Sequence, residues 1–236
     1  MTAPVILIAG GGTGGHVFPG VAVAEAMLQA ADVEVVFCGT ERGVEARVVP
    51  ARGWKLEKLH VEPLKGGGLG RAARGTVVAG RATVRAFGLV RDLRPRAVLS
   101  VGGYASGPVA LAAALMGVPI AVFEPNSVVG LANRLLAPFA RRAYVAWDAA
   151  GARFRPDARR LLGVPLRSEF RRVPYVPRGT LRVLVMGGSQ GAAPLNDRLP
   201  AAAALVAREL PALEVLHQAG RDRDRNVTER YAREGV

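Results

Sequence analysis

The chain has 236 residues, of which 50% are hydrophobic and 6% aromatic, and its formal net charge is +13 at pH 7. It is long enough for one large or two small domains with hydrophobic cores, and no apolar run reaches the roughly 18 residues of a membrane-spanning helix. We expect no secretion signal, because the first residues show no basic region followed by an apolar stretch and a cleavage site. The single Cys38 excludes a disulfide framework, which fits a reducing cytoplasm.

The positive charge indicates either an anionic partner or ordinary solvated arginine. Candidate partners are nucleic acid, a phospholipid surface or a phosphorylated substrate. Because no aromatic-rich basic strand is present, we do not expect nucleic acid.

Short apolar segments alternate with helical patterns over the first half of the chain. Strands are predicted at 5–9, 34–38, 55–61, 97–101 and 120–123, and helices at about 17–30, 71–92 and 106–116. This alternation predicts βαβ units and a parallel sheet with helices on both faces. Cys38 lies in one of these strands and is expected to pack rather than react.

Prolines and arginines interrupt the pattern between 164 and 180, which predicts a linker. A strand at 181–186, a glycine loop, a helix to about 210, a strand at 213–217 and a polar helix from about 226 follow. Two strands give too little cover for a doubly wound domain. We therefore predict a first domain at 1–164, a linker at 165–180 and an incomplete second domain at 181–236.

Five glycines occupy six positions at 10–15, between the first strand and the first helix. Such a loop lets the backbone approach a phosphate or sugar closely at a helix start. The spacing Gly10-x-Gly12-x-x-Gly15 also fits the dinucleotide fingerprint. However, the second strand ends in Cys38-Gly39-Thr40, without the acidic residue that binds the ribose, and Glu41 lies further on. No Walker-type phosphate loop is present either.

His16 follows this loop at the mouth of the helix. It can serve as a general base or hold a substrate oxygen, or it can simply cap or pack against the helix. Tyr104, in the second glycine loop at 100–108, is expected at the carboxyl end of the sheet, where open α/β folds bind ligands. In the same loop we expect Ser106 to cap the next helix.

Glu124 and Asn126 follow the next strand, and we expect them on the same rim as His16 and Tyr104. Glu124 can act as a base or accept a hydroxyl, and Asn126 can bind sugar hydroxyls. Alternatively, Pro125-Asn126 only builds a turn. A third glycine loop at 186–192 places Ser189 and backbone amides where a diphosphate can bind.

Together, three segments resemble the glycine loops of the bacterial MurG-type N-acetylglucosaminyltransferase family. They are GGTGGHVFPG at 11–20, GGYASGP at 102–108 and GGSQGA at 187–192, in the family's order and spacing. The resemblance covers essentially the whole chain. It implies an α/β protein of the GT-B fold, with two Rossmann-like domains whose parallel sheets face a cleft, the second domain being incomplete here.

The resemblance also implies an activity. The family transfers N-acetylglucosamine, with inversion, from UDP-N-acetylglucosamine (UDP-GlcNAc) to the C4 hydroxyl of the muramyl sugar of undecaprenyl-linked lipid I, giving lipid II for peptidoglycan. The first domain would hold the acceptor and the second the donor, with no metal or cofactor. Because the family's uracil- and ribose-binding segments lie beyond Val236, we expect the 236 residues alone not to turn over.

Residue roles follow from the same resemblance. Thr13, Gly14 and Gly15 match the loop beside the donor sugar and diphosphate. Asn126 matches a sugar contact of UDP-GlcNAc, and Arg167 and Ser189 match contacts to its diphosphate. His16, Tyr104 and Glu124 match polar residues of the acceptor cleft, with His16 the first candidate for the base. The segment Phe123-Glu124-Pro125-Asn126 departs from the family's His-Glu-Gln-Asn.

The third helix carries a basic stripe formed by Arg71, Arg74, Arg81 and Arg85, with Val77, Val84 and Phe87 beside it. Basic and apolar residues side by side favour peripheral docking on an anionic membrane, here its cytoplasmic face. The alternative is an ordinary amphipathic helix packed on the sheet. Two other functions stay open: a non-catalytic sugar-nucleotide- or dinucleotide-binding fragment, and a lipid glycosyltransferase with a diacylglycerol acceptor.

Overall fold

The structure is a computed structural model that describes residues 3–61, 69–174, 176, 179–188 and 190–236, with residues 69–79 described by their backbone alone. The chain divides into two compact units, Met1–Arg171 and Arg172–Val236. The division falls inside the segment predicted as a linker.

The first unit contains a seven-stranded sheet in the order β3-β2-β1-β4-β5-β6-β7, with every pair parallel. The strands are β1 (Val5–Gly10), β2 (Glu34–Gly39), β3 (Lys55–Lys58), β4 (Ala97–Gly102), β5 (Ile120–Glu124), β6 (Ala140–Val145) and β7 (Arg159–Leu161). The helices are α1 (Gly14–Ala30), α2 (Glu45–Val48), α3 (Leu69–Leu93), α4 (Ser106–Leu115), α5 (Leu131–Leu136) and α6 (Asp148–Gly151), with 3-10 turns at Pro50–Arg52 and Ala137–Phe139.

Both faces of the sheet are buried along β1, β2, β4 and β5, which explains why these strands read as nearly continuous apolar runs. Successive residues of a strand point to opposite faces of the sheet and pack into two different core clusters. Leu7, Val36, Val98 and Val122 join one cluster, to which α3 and α4 contribute Val90 and Val109. Ile8, Phe37, Leu99 and Phe123 join the other, to which α1 contributes Val17 and Val21. Cys38 is buried, and burial raises the pKa of its thiol to about 12, so it stays protonated at neutral pH.

The strand order reverses between β1 and β4, which lie side by side. In open α/β sheets the loops at such a switch point diverge and leave a crevice at the carboxyl ends of the strands. The first two glycine loops follow these two strands. They contact each other directly, since the Gly11 amide donates to the Gly102 carbonyl oxygen at 3.2 Å.

The second unit pairs β8 (Leu181–Met186) with β9 (Leu213–Gln218) in parallel and carries α7 (Ala193–Glu209) and α8 (Asp224–Glu234). Asn196, buried on α7, donates its amide to the Ala219 carbonyl after β9, at 2.9 Å. His217 of β9 lies 3.0 Å from the Tyr231 hydroxyl of α8. Burial lowers the pKa of His217, which favours the neutral imidazole at this contact.

The predicted strands of the parallel sheet are confirmed, although the strand predicted at 55–61 ends at Lys58. α5, β6 and β7 were not predicted. β6 contains the exposed pair Arg141 and Arg142, and the edge strand β7 is exposed throughout, so neither shows an apolar run.

A matched pair of glycines in the second unit tests this packing. Gly188 and Gly191 have similar positive φ angles, 75° and 69°. A Cβ at Gly188 meets open space, whereas one at Gly191 would overlap the Ala219 carbonyl. We expect Gly188→Ala to lower the stability of β8 and β9 by about 1 kcal/mol and Gly191→Ala by about 3 kcal/mol or more. Hydrogen exchange of the β8 and β9 amides measures both, and equal losses would contradict this packing.

Candidate active site

A pocket of 470 Å³ opens at the carboxyl ends of β1, β4 and β5. Its polar end is lined by Gly11, Gly12, Thr13, His16, Gly102, Gly103, Tyr104, Glu124, Asn126 and Asn133. Its apolar wall is lined by Val61, Leu111, Leu131, Leu135 and Leu136. The predicted shared rim is therefore confirmed, and the pocket suits a ligand with one polar and one apolar part.

The first glycine loop presents free backbone donors at the start of α1. The Thr13 carbonyl accepts the amides of His16 and Val17, each at 3.1 Å. Within the described part of the chain, the amides of Gly14 and Gly15 have no acceptor, and the Thr13 side chain makes no capping bond. Free amides at the positive end of a 17-residue helix can bind an anion.

His16 lies half-buried in the third position of α1, against the second loop. A Cβ at Gly102 would come within 2.9 Å of the His16 ring, so this contact requires glycine. His16 Nδ1 is buried without a hydrogen-bond partner among the residues that the structure describes. Packing on Gly102, rather than an orienting carboxylate, therefore fixes the position of the imidazole.

Tyr104 is 50% exposed on the second loop, as predicted for a ligand contact at the sheet end. The predicted cap at Ser106 is wrong. Ser106 is buried inside the first turn of α4, and its hydroxyl donates to the Gly103 carbonyl at 2.8 Å. The side chain thus closes the glycine turn instead of capping helix amides.

Glu124 is 1% exposed, and both of its carboxylate oxygens are engaged. Oε1 accepts the backbone and side-chain amides of Asn126 at 3.0 and 2.9 Å. Oε2 accepts the Gly130 amide at 2.9 Å and Asn133 Nδ2 at 3.1 Å. Four donors fill the acceptor positions of a carboxylate, so Glu124 fixes the loop that carries Asn126.

Asn133 and Ser100, which sequence reasoning missed, extend this network into the core. The Ser100 hydroxyl donates to Asn133 Oδ1 at 2.9 Å, and Asn133 Nδ2 also donates to the Phe123 carbonyl at 2.9 Å. Both side chains are buried. Ser100 could have been noticed as a polar residue inside an apolar strand. Asn133 could not, because α5, which carries it, was not predicted.

Arg167 does not line the pocket. Its guanidinium lies 4.7 Å from the ring centroid of Phe18 on α1 and 5.2 Å from that of Phe170. The Phe18 ring in turn packs beside Gly14. Arg167 is thus held by aromatic contacts close to the start of α1. Ser189 lies outside the described residues.

The third helix exposes part of the predicted basic stripe. Arg81 and Arg85 are exposed, and Val84 between them is 73% exposed. The side chains of Arg71, Arg74 and Val77 lie outside the described residues. The placement of Phe87 on the membrane side is wrong, because this ring packs against the core cluster under α3.

On other helices of the first unit, Leu115 at the end of α4 and Leu135 on α5 are also exposed, by 62% and 65%. No described helix combines the length and apolar character that a membrane span requires.

The parallel sheet and its glycine loops place the first unit among open α/β domains that bind a ligand at the carboxyl ends of their strands. The family model for the glycosyltransferase family 28 N-terminal domain matches residues 6–145, and the model for the glycosyltransferase family 28 C-terminal domain matches residues 182–235. The chain belongs to glycosyltransferase family 28. The predicted fold class and family resemblance are confirmed.

Relatives with curated names support the same family. The chain is 54% identical over 235 residues to the UDP-N-acetylglucosamine–N-acetylmuramyl-(pentapeptide) pyrophosphoryl-undecaprenol N-acetylglucosamine transferase of Sorangium cellulosum, covering 98% of this chain and 58% of the relative. It is 43% identical to the protein of that name from Anaeromyxobacter dehalogenans, covering 95% and 60%. The chain therefore spans about three fifths of these relatives.

Among solved structures, Acinetobacter baumannii MurG matches with a TM-score of 0.74 and 28% identity, over 99% of this chain and 64% of that chain. A UDP-N-acetylglucosamine 2-epimerase matches with a TM-score of 0.62 and 13% identity, over 99% and 66% of the two chains. The second likeness shows the fold alone.

Replacement of Glu124 tests the carboxylate network. In Glu124→Gln an amide group faces two donors that previously met an oxygen, so we expect the free energy of unfolding to fall by about 3 kcal/mol. Glu57→Gln, on the more exposed strand β3, should change it by less than about 0.5 kcal/mol. Urea unfolding of both variants measures the difference, and similar stabilities would show that the network does not hold the loop.

Proposed function

We propose that this chain is the larger part of an inverting N-acetylglucosaminyltransferase. It would move N-acetylglucosamine from UDP-GlcNAc to the C4 hydroxyl of the muramyl sugar of undecaprenyl-linked lipid I, forming lipid II. The names of the relatives support this activity. The observation that carries the proposal is the pocket of the first unit, polar at the strand ends and apolar between the helices.

The two ends of the pocket suit the two parts of such an acceptor. Tyr104 would contact the muramyl sugar. The free amides at Gly14 and Gly15, which we also assign to the donor sugar, would face the phosphate of the acceptor. Asn126 would contact the sugar of UDP-GlcNAc. The apolar wall around Leu111 and Leu135 would contact the first carbons of the prenyl chain. In this assignment, residues 1–164 hold the acceptor and residues 181–236 begin the donor domain, with 165–180 linking them.

His16 is the group that we assign as general base. It would take the proton of the C4 hydroxyl as that oxygen attacks the anomeric carbon of N-acetylglucosamine. The bond from this carbon to the diphosphate breaks, UDP leaves with the electron pair, and the configuration inverts. Glu124 has no free acceptor position for a proton, so we assign it to positioning Asn126.

The departing diphosphate gains negative charge, and cationic or amide donors would stabilise it. We assign this role to Arg167 and Ser189, with the loop amides of Thr13, Gly14 and Gly15 beside the donor sugar. The aromatic contacts of Arg167 support the assignment, since they hold its guanidinium near the start of α1.

A lipid-linked acceptor requires the enzyme to reach the bilayer. We therefore propose peripheral docking on the cytoplasmic membrane face through Arg71, Arg74, Arg81 and Arg85. The exposure of Arg81, Val84 and Arg85 supports this surface. Leu115 and Leu135 would add apolar contacts, because helices that bind at the interface combine basic and apolar residues.

A transfer assay tests the activity. Joining residue 236 to the remaining region of the Sorangium cellulosum relative gives a full-length enzyme, in which we expect labelled N-acetylglucosamine to reach a lipid I analogue. His16→Ala should lower kcat by about 10²–10⁴-fold with little change in KM for UDP-GlcNAc. Arg167→Ala and Ser189→Ala should each lower the rate by about 10²–10³-fold. The exposed Arg153→Ala serves as control.

Several results would contradict the proposal. Unchanged kinetics in His16→Ala would remove the base, and unchanged kinetics in both Arg167→Ala and Ser189→Ala would remove the diphosphate contacts. Transfer to diacylglycerol instead of the lipid I analogue would show the related lipid glycosyltransferase activity.

Vesicle binding tests the membrane surface. Each arginine near an anionic bilayer contributes about 1 kcal/mol, so Arg81→Glu with Arg85→Glu should weaken binding to phosphatidylglycerol vesicles by about 30-fold or more. Arg153→Glu with Arg155→Glu changes the net charge equally but lies outside α3. Equal weakening in both pairs, or in neither, would contradict docking through α3.

A further inference from the structure

Glu45 is the first residue of the short helix α2 and is 0% exposed. Its Oε2 accepts the Gly12 amide at 2.8 Å. Its Oε1 accepts the amide and the hydroxyl of Thr40, each at 2.7 Å. The carboxylate therefore joins the loop after β1 to the loop after β2.

Three glycines surround this carboxylate. A Cβ at Gly11, Gly39 or Gly43 would overlap the Glu45 side chain. Glycine at these positions thus makes room for a buried carboxylate next to the backbone. No cation pairs with Glu45 among the described residues, so backbone amides and one hydroxyl are its partners.

The bond to Gly12 acts directly on the pocket wall. Gly11, Gly12 and Thr13 all line the pocket. The Gly12 carbonyl also accepts the Val44 amide at 3.4 Å, so Gly12 is held on both sides by the segment that carries Glu45. Bonds to a charged acceptor are the stronger kind, and this one sets the path of the chain immediately before the free amides of α1.

We propose that Glu45 is a positioning residue for ligand binding in this pocket. Through Gly12 it holds the first glycine loop in the conformation that directs Thr13 and the Gly14 and Gly15 amides toward the bound phosphate group. The role of the loop rests on the proposed function, whereas the effect of Glu45 on loop geometry does not.

Two variants, Glu45→Gln and Thr40→Val, distinguish an effect on ligand binding from an effect on stability alone. In Glu45→Gln an NH2 group replaces one oxygen. Because Oε1 accepts two donors from Thr40 and Oε2 accepts one from Gly12, we expect the remaining oxygen to stay with Thr40, so that the Gly12 bond is lost. Thr40→Val removes the hydroxyl, which donates to Glu45 and accepts the Gly43 amide, and leaves the Gly12 bond in place. A merely structural role predicts that both variants lose ligand affinity in proportion to their loss of stability.

The measurements are thermal unfolding, amide hydrogen exchange and calorimetric binding of a water-soluble, short-chain lipid I analogue to the 236-residue chain. For Glu45→Gln we expect Gly12 exchange to be faster and the Kd weaker, each by about 10-fold. For Thr40→Val we expect lower stability but a Gly12 exchange rate and a Kd within about twofold of wild type. In wild type, the Gly12 amide should exchange at least about 100-fold more slowly than those of Gly14 and Gly15.

Wild-type affinity in Glu45→Gln, or equal loss in both variants, would overturn the proposal. If Glu45→Gln does not fold, the wild-type exchange rates decide, and a fast Gly12 amide would overturn it. If the wild-type chain does not bind the analogue, the proposed function is contradicted. The exchange rates then still test the effect of Glu45 on the loop.

Discussion

Two buried carboxylates bound by backbone amides determine the shape of the pocket. Glu45 and Glu124 are at most 1% exposed, and among the described residues neither pairs with a cation. Burial of a carboxylate is costly unless its acceptor positions are filled, so each one requires nearby amides to turn inward. Glu45 binds an amide of the loop after β1, and Glu124 binds amides of the loop after β5. The same kind of interaction thus fixes two of the loops that line the polar end of the pocket.

The sheet explains why these loops meet. The order of strands reverses between β1 and β4, and the chain leaves them in loops that contact each other through Gly11 and Gly102. Because α4 and α5 flank the opening, the polar strand ends continue into an apolar wall. The order of the strands therefore places polar strand ends beside an apolar wall, and the two carboxylates fix the loops at the polar end.

Much of the first unit could be predicted because parallel strands buried on both faces leave continuous apolar runs. The rim residues could also be predicted, since His16, Tyr104 and Asn126 follow strands or glycine loops whose carboxyl ends share one edge. These predictions required only the order of the segments along the chain and the periodicity of their apolar residues.

Side-chain partners could not be predicted in this way. The loop after the second strand was considered only for the acidic residue of a dinucleotide site, which it lacks, whereas Glu45 in this segment is buried and binds the Gly12 amide. Phe87 lies on the same helix as exposed arginines, and only its packing against the core cluster shows that it faces inward. Asn133 was missed because the six-residue α5 is too short for a recognisable period. In each case a contact between segments distant in sequence decides the outcome.

The central claim is that the pocket of the first unit binds the acceptor. The most direct measurement is a map of amide chemical shifts of the 236-residue chain during titration with a soluble lipid I analogue. The account predicts that the shifted amides cluster at 11–16, 102–104 and 126–131, with α6 and β7 unaffected. Shifts confined to other surfaces, or none at saturating analogue, would contradict it.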